Sequence, residues 1–513
     1  MGLFNRIASN EMTERLDAEF YKPIFIEVEH KLSEGRSSSL GDMLENLQLG
    51  YTGPTEKYYD KNGYFYLSSK NVSDGFVNIT DATDKVSLEA HRGDLSNTAV
   101  FFGDVLITRT GTVGKSGVIS EDLGEANTAA HVISLRLKEG YDGFYLSAFL
   151  NTSYGMLQSK RHQRGTIIRG LSVFDIPGFL VPDIEQLAQK YIGDKVRLAE
   201  RLRACAKELE IAACLRFDND LNWNDQILDV PSYSSIPATE MAGRLDLKFN
   251  SPERIAVKRH FANNNIRVSH LSDLVDISAM VGWKGLTTEY YRKDGPWLLR
   301  GVEFHNGVIK TEDLVCVDEF KYAEQPQIHL QEYDIAFSKD GTIGKAIVIP
   351  KLTNRIAAGS TIARLRVKEG LDLKPHYLEF LIAQPCVQVQ IESFATGIAQ
   401  PHITQEWVAQ LEIPRLDCEA NIASDWLLHH NYLNNAKYLV ESAKMCVEAL
   451  IDNKLAEQQL NLAQQALDCG DNSQDRDILS RLTTKGFDVD GDPLFPDLDQ
   501  LYDLLTLSQE IME

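Results

Sequence analysis

Hydrophobic and polar positions follow two rhythms along this chain. Residues 40–182 are rich in turns and carry short β-type runs at 64–67, 100–102, 105–108 and 131–137. Such runs predict a compact, mainly-β domain with some helix at about 144–157. Residues 1–39 have a mixed, mostly helical pattern, and the β-type segment closes at Pro182.

A long helix is predicted next, at 184–216, where the chain contains no proline and one glycine. Apolar or small residues recur there at three- and four-residue spacing, interrupted at Lys195. They are Ala188, Tyr191, Leu198, Leu202, Cys205, Leu209 and Ala212. A helix with one such stripe requires a partner helix.

One motif occurs twice and suggests that the chain is duplicated. Residues 104–119 read DVLITRTGTVGKSGVI, and residues 334–349, which begin 230 positions later, read DIAFSKDGTIGKAIVI. Each copy predicts two strands joined by a tight turn in which one or both glycines adopt positive φ.

Other landmarks repeat in the same order at nearly the same offset, which indicates two homologous domains with separate cores. They are Arg15-Leu16-Asp17 and Arg244-Leu245-Asp246, Tyr58-Tyr59 and Tyr290-Tyr291, LRLKEG at 135–140 and LRVKEG at 365–370, Tyr145 and Tyr377, Gly165 with Leu171-Ser172 and Gly397 with Ile403-Thr404, and Pro182 and Pro414.

The predicted segments are 1–182, with the first β domain from about 40; 183–222, the first helix; 223–269, a linker and the second opener; 270–414, the second β domain; 415–467, the second helix; and 468–513, an acidic extension.

Two arrangements of the helices are open at this point. The second helical stretch, at about 423–467, again has apolar residues at three- and four-residue spacing. The two helices either cover separate cores or pair antiparallel as a rod between the β domains, and we favour pairing because each follows its own domain copy. The predicted fold class is α+β: two tandem homologous mainly-β domains separated by long helices that form an antiparallel coiled coil.

Composition narrows the class of protein. No apolar run approaches the roughly 20 residues that a membrane helix needs. The seven cysteines are scattered without a C-x-x-C pair, which indicates reduced thiols in a cytoplasmic protein and argues against zinc. The net charge of −22 argues against a broadly basic nucleic-acid-binding surface. However, residues 468–513 alone hold 12 acidic and 3 basic residues, and phosphate affinity depends on local patches.

Several catalytic and binding motifs can be excluded. The Gly111 to Ser116 run has two residues before its Gly-Lys pair where a nucleotide-binding P-loop has four. Asp488, Asp490 and Asp492 begin like a calcium loop, but Pro493 stands at the position of the sharp-turn glycine. No H-E-x-x-H, G-x-S-x-G or amino-methyltransferase tetrapeptide occurs. The sequence therefore predicts no catalytic centre and no metal site.

Cationic and aromatic residues at matched turns remain as candidates for contact with DNA, since Lys and Arg can bind phosphates and Arg can read base edges. The alternative for the basic run at 160–164 is a solvated loop, and Lys115 and Lys345 could simply complete the hairpin surface. The candidates are Lys57, Tyr58, Lys70, Arg109, Lys115, Arg161, His162, Arg164 and Arg169 in the first domain, and Lys284, Tyr290, Arg292, Arg300, Lys339, Lys345, Arg355 and His402 in the second.

Over about residues 10–465, the chain resembles the specificity (S) subunit of Type I restriction-modification enzymes. The resemblance lies in the duplicated G-T-[VI]-G-K hairpin, the G-x(5)-[LI]-[ST] segment before a closing proline, the helix after each copy and the R-L-D openers. It implies a prokaryotic cytoplasmic protein with two target recognition domains, each reading one half of a split, asymmetric DNA site. It also implies an antiparallel coiled coil that spaces these domains.

The resemblance further implies that the chain has no catalysis and no cofactor of its own. Two methyltransferase subunits would bring S-adenosylmethionine, and restriction subunits would use ATP and Mg²⁺. The acidic extension departs from this family pattern, and we expect its removal after about residue 467 to leave a folded protein. The competing classes are a non-enzymatic protein-interaction scaffold and an enzyme with an unrecognised site.

Overall fold

The structure, a computed structural model, describes residues 12–512 except 14, 16, 81, 166–168, 232–243, 281–287, 306, 398 and 399. The chain divides into two compact units. Unit 1 contains residues 1–203 and 435–513, and unit 2 contains residues 204–434. Both long helices cross this division, so each unit contains one half of each helix.

Unit 1 begins with three sheets and the helices that cover them. Its strands are β1 Ser37–Ser39, β2 Leu44–Leu49, β3 Tyr59–Leu67, β4 Val72–Ser73, β5 Gly75–Val77, β6 Lys85–Val86, β7 Ala99–Val100, β8 Val105–Thr108, β9 Ser116–Val118, β10 Ala126–Thr128, β11 Val132–Leu137 and β12 Leu180–Pro182. Its first helices are α1 Pro23–Glu34, α2 Leu40–Met43, α3 Leu88–Arg92, α4 Gly143–Leu150 and α5 Ser153–Arg161. The strand orders are β1-β12, β6-β3-β10-β7 and β2-β11-β8-β9-β5-β4. The long helix α6 Gln186–Leu221 follows.

Unit 2 repeats this plan. Its helices are α7 Pro252–Asn263, α8 Leu271–Leu274, α9 Glu319–Glu324, α10 Pro375–Ala383, α11 Pro385–Phe394 and α12 Gln405–Ala409, followed by the long helix α13 Glu419–Ile451. Its strands are β13 Val268–His270, β14 Val275–Ala279, β15 Tyr291–Leu299, β16 Phe304–His305, β17 Val308–Ile309, β18 Val315–Val317, β19 His329–Leu330, β20 Ile335–Ser338, β21 Ala346–Val348, β22 Ile356–Ala358, β23 Ile362–Val367 and β24 Glu412–Pro414.

The strand orders of the two units match, which confirms the duplication. The orders β13-β24, β18-β15-β22-β19 and β14-β23-β20-β21 correspond strand by strand to β1-β12, β6-β3-β10-β7 and β2-β11-β8-β9 of unit 1. The differences lie at the edge: β5 and β4 extend the sheet in unit 1, whereas β16 and β17 form a separate ribbon in unit 2.

Side chains that the sequence repeats make the same contacts in both units. Arg136 of the first LRLKEG run forms a two-pronged ion pair with Asp104, with N···O distances of 2.9 and 2.6 Å. Arg366 and Asp334 form the same pair at 2.6 and 2.7 Å. The hydroxyls of Tyr145 and Tyr377 donate to the carbonyls of the closing prolines, at 2.6 and 3.1 Å. The repeated motifs are therefore framework residues that hold each hairpin against its domain.

The long helices pair antiparallel, as favoured from the sequence. In unit 2, His429 of α13 contacts the carbonyl of Ala206 at 2.8 Å, and the amide of Cys418 donates to Asp220 at 3.1 Å. Positions rise along α6 as they fall along α13, which defines the direction. In unit 1, Val196 and Val440 line the same side of Gly75.

The C-terminal region differs from its sequence-based division. Helix α13 ends at Ile451 rather than near 467, after which Asn453 takes a left-handed φ of 57°. Helices α14 Glu457–Asp468, α15 Ser473–Ser480 and α16 Leu498–Met512 follow, with strands β25 Leu482–Thr483 and β26 Gly486–Phe487.

This C-terminal region, residues 457–512, packs within unit 1 and buries apolar side chains. They are Leu460, Ala463, Ile478, Leu479, Leu482, Phe487, Leu494, Phe495, Leu501 and Leu504. Its Asp475 is 2.5 Å from the Nζ of Lys195 on α6, and both side chains are buried. The lysine that interrupts the apolar stripe of α6 is thus neutralised by the C-terminal region. This packing disagrees with the expectation that the region can be removed without loss of structure.

Candidate functional site

The duplicated hairpin presents the same turn in both units. Strands β8 and β9 pair antiparallel around residues 109–115, and β20 and β21 pair around 339–345. All four turn glycines have φ between 75° and 92°, as the spacing predicted. A Cβ on Gly114 would lie 2.5 Å from the Cβ of Ser159, so this turn also requires glycine for its close approach to α5.

Two further loops are tied to each turn through the backbone. The amide of Arg109 donates to the carbonyl of His131 at 2.9 Å, and the amide of Leu171 donates to the carbonyl of Arg109 at 3.0 Å. In unit 2, Lys339 forms the equivalent bonds with Thr361 and Ile403, at 2.8 and 3.0 Å. We call each assembly the turn platform: residues 109–115, 131, 164, 165 and 169–172 in unit 1, and 339–345, 361, 396, 397 and 400–404 in unit 2.

The platforms share a backbone but differ in side chains. In unit 1, the hydroxyl of Thr110 lies 2.7 Å from Nδ1 of His131. In unit 2, a carboxylate oxygen of Asp340 contacts Nδ1 of His402, and the Nζ of Lys339 contacts the other carboxylate oxygen at 2.6 Å. A histidine is therefore held by the second turn residue in both units, but it comes from a different loop in each.

Two of the predicted lysines have no hydrogen-bond or ion-pair partner for their side chains among the described residues. Lys70 is exposed on a short 3₁₀ helix whose Ser69 hydroxyl lies 3.9 Å from the Cβ position of Gly111. Lys345 ends the turn in unit 2 and is partly exposed. Its counterpart Lys115 contacts the carboxylate of Asp74 instead. Lys70 and Lys345 are thus the most available cations of the predicted set.

Most other predicted cations are paired with carboxylates. Arg164 makes a two-pronged pair with Asp175 at 2.8 and 2.6 Å, and hydrogen bonding to that carboxylate raises the pKa of the guanidinium. The remaining pairs are Lys57 with Asp94, Arg169 with Glu19, Arg292 with Asp318, Arg300 with Glu303, Lys339 with Asp340 and Arg355 with Glu319. Of these, Arg164, Arg169 and Lys339 belong to a turn platform.

Four predicted residues are committed to internal contacts. Tyr58 is buried and donates to Asp94. Arg161 is buried, pairs with Glu29 at 2.6 Å and lies over the ring of Phe20. Burial lowers the pKa of His162 to about 4, and Arg109 donates to the backbone carbonyls of Leu171 and Ala130. These side chains support the fold in the conformation described.

The last two predicted residues are Tyr290 and Lys284. The ring of Tyr290 lies 4.5 Å from the Nζ of Lys321. Lys284 lies outside the described residues.

Sequence reasoning missed the partners of the candidates. His131 lies at the start of a predicted strand and was not selected, although it stands beside Thr110 in the fold. Asp74, which neutralises Lys115, comes from a distant turn. The repeat could not have indicated them, because the two histidines come from different loops and Asp74 lies 41 positions from Lys115 in the sequence.

The part of the chain that the structure describes contains no helix able to cross a membrane and no cluster of three or more potential metal ligands. These findings concern the described residues alone.

Comparisons with known proteins give structural similarities only. No family model matches the chain, and no curated protein matches it. The Type I restriction-modification S subunit from M. genitalium is 10% identical and aligns over 82% of this chain and 96% of that chain, with a TM-score of 0.41. The HsdS subunit from Thermoanaerobacter tengcongensis is 16% identical over 86% and 97%, with a TM-score of 0.25. A chain from a type I R-M system complex is 14% identical over 84% and 96%, with a TM-score of 0.26. The chain is thus similar across most of its length to S subunits of Type I systems, while its function has to be argued from its own residues.

Proposed function

We propose that this chain is the DNA sequence-recognition subunit of a Type I restriction-modification complex. Each turn platform reads one half of a split DNA site, and the chain itself performs no catalysis. The observation that carries this proposal is the presence of two platforms with the same backbone and different side chains. Equal backbones allow the same approach to a DNA groove, whereas different side chains read different bases, so the complete site is asymmetric.

The chemistry of the platforms supports DNA as the ligand. Lys345 of the unit 2 platform and Lys70 next to the unit 1 platform, which have no side-chain partner among the described residues, offer ammonium groups for phosphate oxygens. Phosphate contacts position a protein on the duplex. Polar side chains beside them, including Thr110, His131 and His402, can meet base edges. The ion-paired arginines can exchange a carboxylate for a phosphate, because both groups accept two parallel hydrogen bonds.

The partner subunits are inferred from the proposed function and not from a docking site identified on this chain. With a net charge of −22, the chain needs other subunits to provide much of the phosphate contact. We propose two methyltransferase subunits that bind S-adenosylmethionine, together with restriction subunits that use ATP and Mg²⁺.

The test compares lysines that differ only in their surroundings. Binding of the full-length chain to random duplex DNA is measured against salt concentration, with and without a methyltransferase partner. Lys345→Ala should weaken binding and reduce the log-log salt slope by about one unit, since one phosphate contact is lost. Lys115→Ala should have a smaller effect, because Asp74 already neutralises this lysine. Asp74→Ala should strengthen binding by releasing Lys115.

The matched control is Lys485→Ala, which removes the same charge from an exposed position of the C-terminal region. It should leave the salt slope unchanged. If the chain and its complex bind duplex DNA without a salt-dependent slope, or if K485A and K345A behave alike, the platforms do not contact DNA. A protein-interaction scaffold then becomes the better description.

A further inference from the structure

The two histidines on the turn platforms differ in the hydrogen-bonding character of their free nitrogen. Each ring is held through Nδ1, and Nε2 has no partner among the described residues. A neutral imidazole has one N–H and one lone pair. The group that holds Nδ1 therefore determines whether Nε2 donates or accepts.

Asp340 fixes this choice in unit 2. An ionised carboxylate can only accept hydrogen bonds, so Nδ1 of His402 carries the proton and donates it to Asp340. Nε2 of the neutral ring is then a hydrogen-bond acceptor. The ammonium of Lys339 occupies the other carboxylate oxygen at 2.6 Å, which keeps Asp340 oriented toward the histidine.

The backbone holds His402 in place as well. Its amide and carbonyl both bond to Thr396, at 2.9 and 2.8 Å, and the next residue bonds to the turn at Lys339. The side chain of His402 remains 41% exposed. An exposed acceptor that is held through both its backbone and its side chain is suited to reading one hydrogen-bond donor.

Unit 1 lacks this constraint. The hydroxyl of Thr110 can donate to Nδ1 of His131 or accept from it. His131 can therefore present either a donor or an acceptor at Nε2, and the residue that matches His402 on the other loop is Gly170, which has no side chain. The two platforms cannot read the same base in the same way.

We infer that His402 is a specificity-determining residue of unit 2 and that Asp340 is its positioning residue. Nε2 of His402 accepts a hydrogen bond from an exocyclic amino group in the major groove, N6 of adenine or N4 of cytosine. Guanine and thymine present carbonyl oxygens at these positions and are rejected. This inference rests on the proposed function and adds the base class read at one position of one half-site.

The test is selection of bound sites from a random duplex library by the full-length chain with its methyltransferase partner. It is carried out at about pH 8. The wild-type protein should select a bipartite site. His402→Ala should lose the preference for adenine or cytosine at one position by about tenfold, as for the loss of a single base contact. The other half-site should stay unchanged.

Asp340→Asn provides a second variant that keeps the histidine. A carboxamide can donate to Nδ1 and so place the proton on Nε2, and the preference at the same position should shift toward guanine or thymine. His270→Ala is the matched control, since it removes an exposed histidine of unit 2 that lies outside the turn platform. It should select the wild-type site.

The outcomes separate this inference from the proposed function. If the wild-type protein selects no bipartite site, the proposed function fails and the inference fails with it. If the wild-type protein selects a bipartite site that H402A leaves unaltered, or if H402A changes both half-sites, the inference alone is overturned. Thermal unfolding and non-specific affinity of H402A should equal those of the wild type, which excludes misfolding as the cause of a change.

Discussion

The first halves of the two long helices occupy matching positions in their units but have different surroundings. On α6, Ile192 and Lys195 are buried in unit 1. The closing prolines Pro182 and Pro414 are 232 residues apart. The same offset places Ser424 and Leu427 of α13 at the positions that match Ile192 and Lys195. Ser424 is exposed and Leu427 is 42% exposed. The helix face that holds these positions is thus buried in unit 1 and exposed in unit 2.

The C-terminal region accounts for this difference. In unit 1 its α14 and α15 lie along α6, where Lys190 pairs with Asp468 at 2.6 Å and Lys195 pairs with Asp475. Unit 2 has no second copy of this region in the sequence. The C-terminal region is therefore an additional layer of unit 1, and it covers the part of α6 that holds Lys190 and Lys195.

The largest expected effect is in unit 1, from breaking the buried pair of Lys195 and Asp475. Asp475 accepts hydrogen bonds from Lys195, Tyr191 and Tyr502, each at 2.5 Å. Burial alone would raise the pKa of Asp475, but Lys195 and these hydrogen bonds lower it overall. Asp475→Asn keeps the shape and leaves the lysine charge unpaired, which should destabilise unit 1 by about 3–5 kcal/mol.

The measurement separates the two units. All five tryptophans of the chain lie in unit 2, so tryptophan fluorescence follows unit 2, while hydrogen exchange of the amides of α6 near Lys195 follows unit 1. D475N should reduce protection in unit 1. The double variant K195M with D475N removes the unpaired charge and should recover most of the loss. Equal destabilisation of the single and double variants would show that the ion pair is not what holds the C-terminal region.

The second prediction is a loss of stability in unit 2 on acidification. Burial lowers the pKa values of His376 and His429 to about 4, below the value of about 6.5 in the unfolded chain. The unfolded state therefore binds more protons between about pH 6.5 and pH 4, and the free energy of unfolding falls as the pH falls through this range. The loss should be on the order of 2 kcal/mol per histidine at pH 5.

His429→Asn tests this effect, because the amide can still donate to the carbonyl of Ala206 but does not titrate in this range. The unfolding transition followed by tryptophan fluorescence should depend less steeply on pH in the variant. An unchanged pH dependence would mean that His429 is accessible to protons in the folded state.

The smallest expected effect has the opposite sign and lies in unit 1. Burial raises the pKa of Glu200 to about 7, although the nearby Arg203 acts to lower it. The folded state then binds more protons than the unfolded state between about pH 4.5 and pH 7, so stability falls as the pH rises through this range. Glu200→Gln should remove this decrease, a gain on the order of 3 kcal/mol at pH 8. The readout is hydrogen exchange of unit 1 amides at several pH values, and a variant that loses stability equally at all pH values would contradict the assignment.

Local chemistry in the sequence was sufficient to predict the duplicated hairpin, its glycines of positive φ and the antiparallel helices. Glycine spacing specifies a turn through backbone sterics alone. An apolar stripe on a helix requires a second surface to pack against. Because the chain is duplicated, a second helix with a similar stripe was available as that partner. These features depend on residues that are close in sequence or repeated in order.

Only the tertiary structure decided which charges are available. Lys115 and Lys345 are equivalent in sequence, yet Asp74 neutralises the first and no described residue neutralises the second. In the sequence, Lys195 interrupts an apolar stripe without an evident reason. In the structure it lies beside Asp475, which is 280 positions away in the sequence. Whether a charged residue binds a ligand or supports the fold depends on its partner, and partners distant in sequence are brought together only by folding.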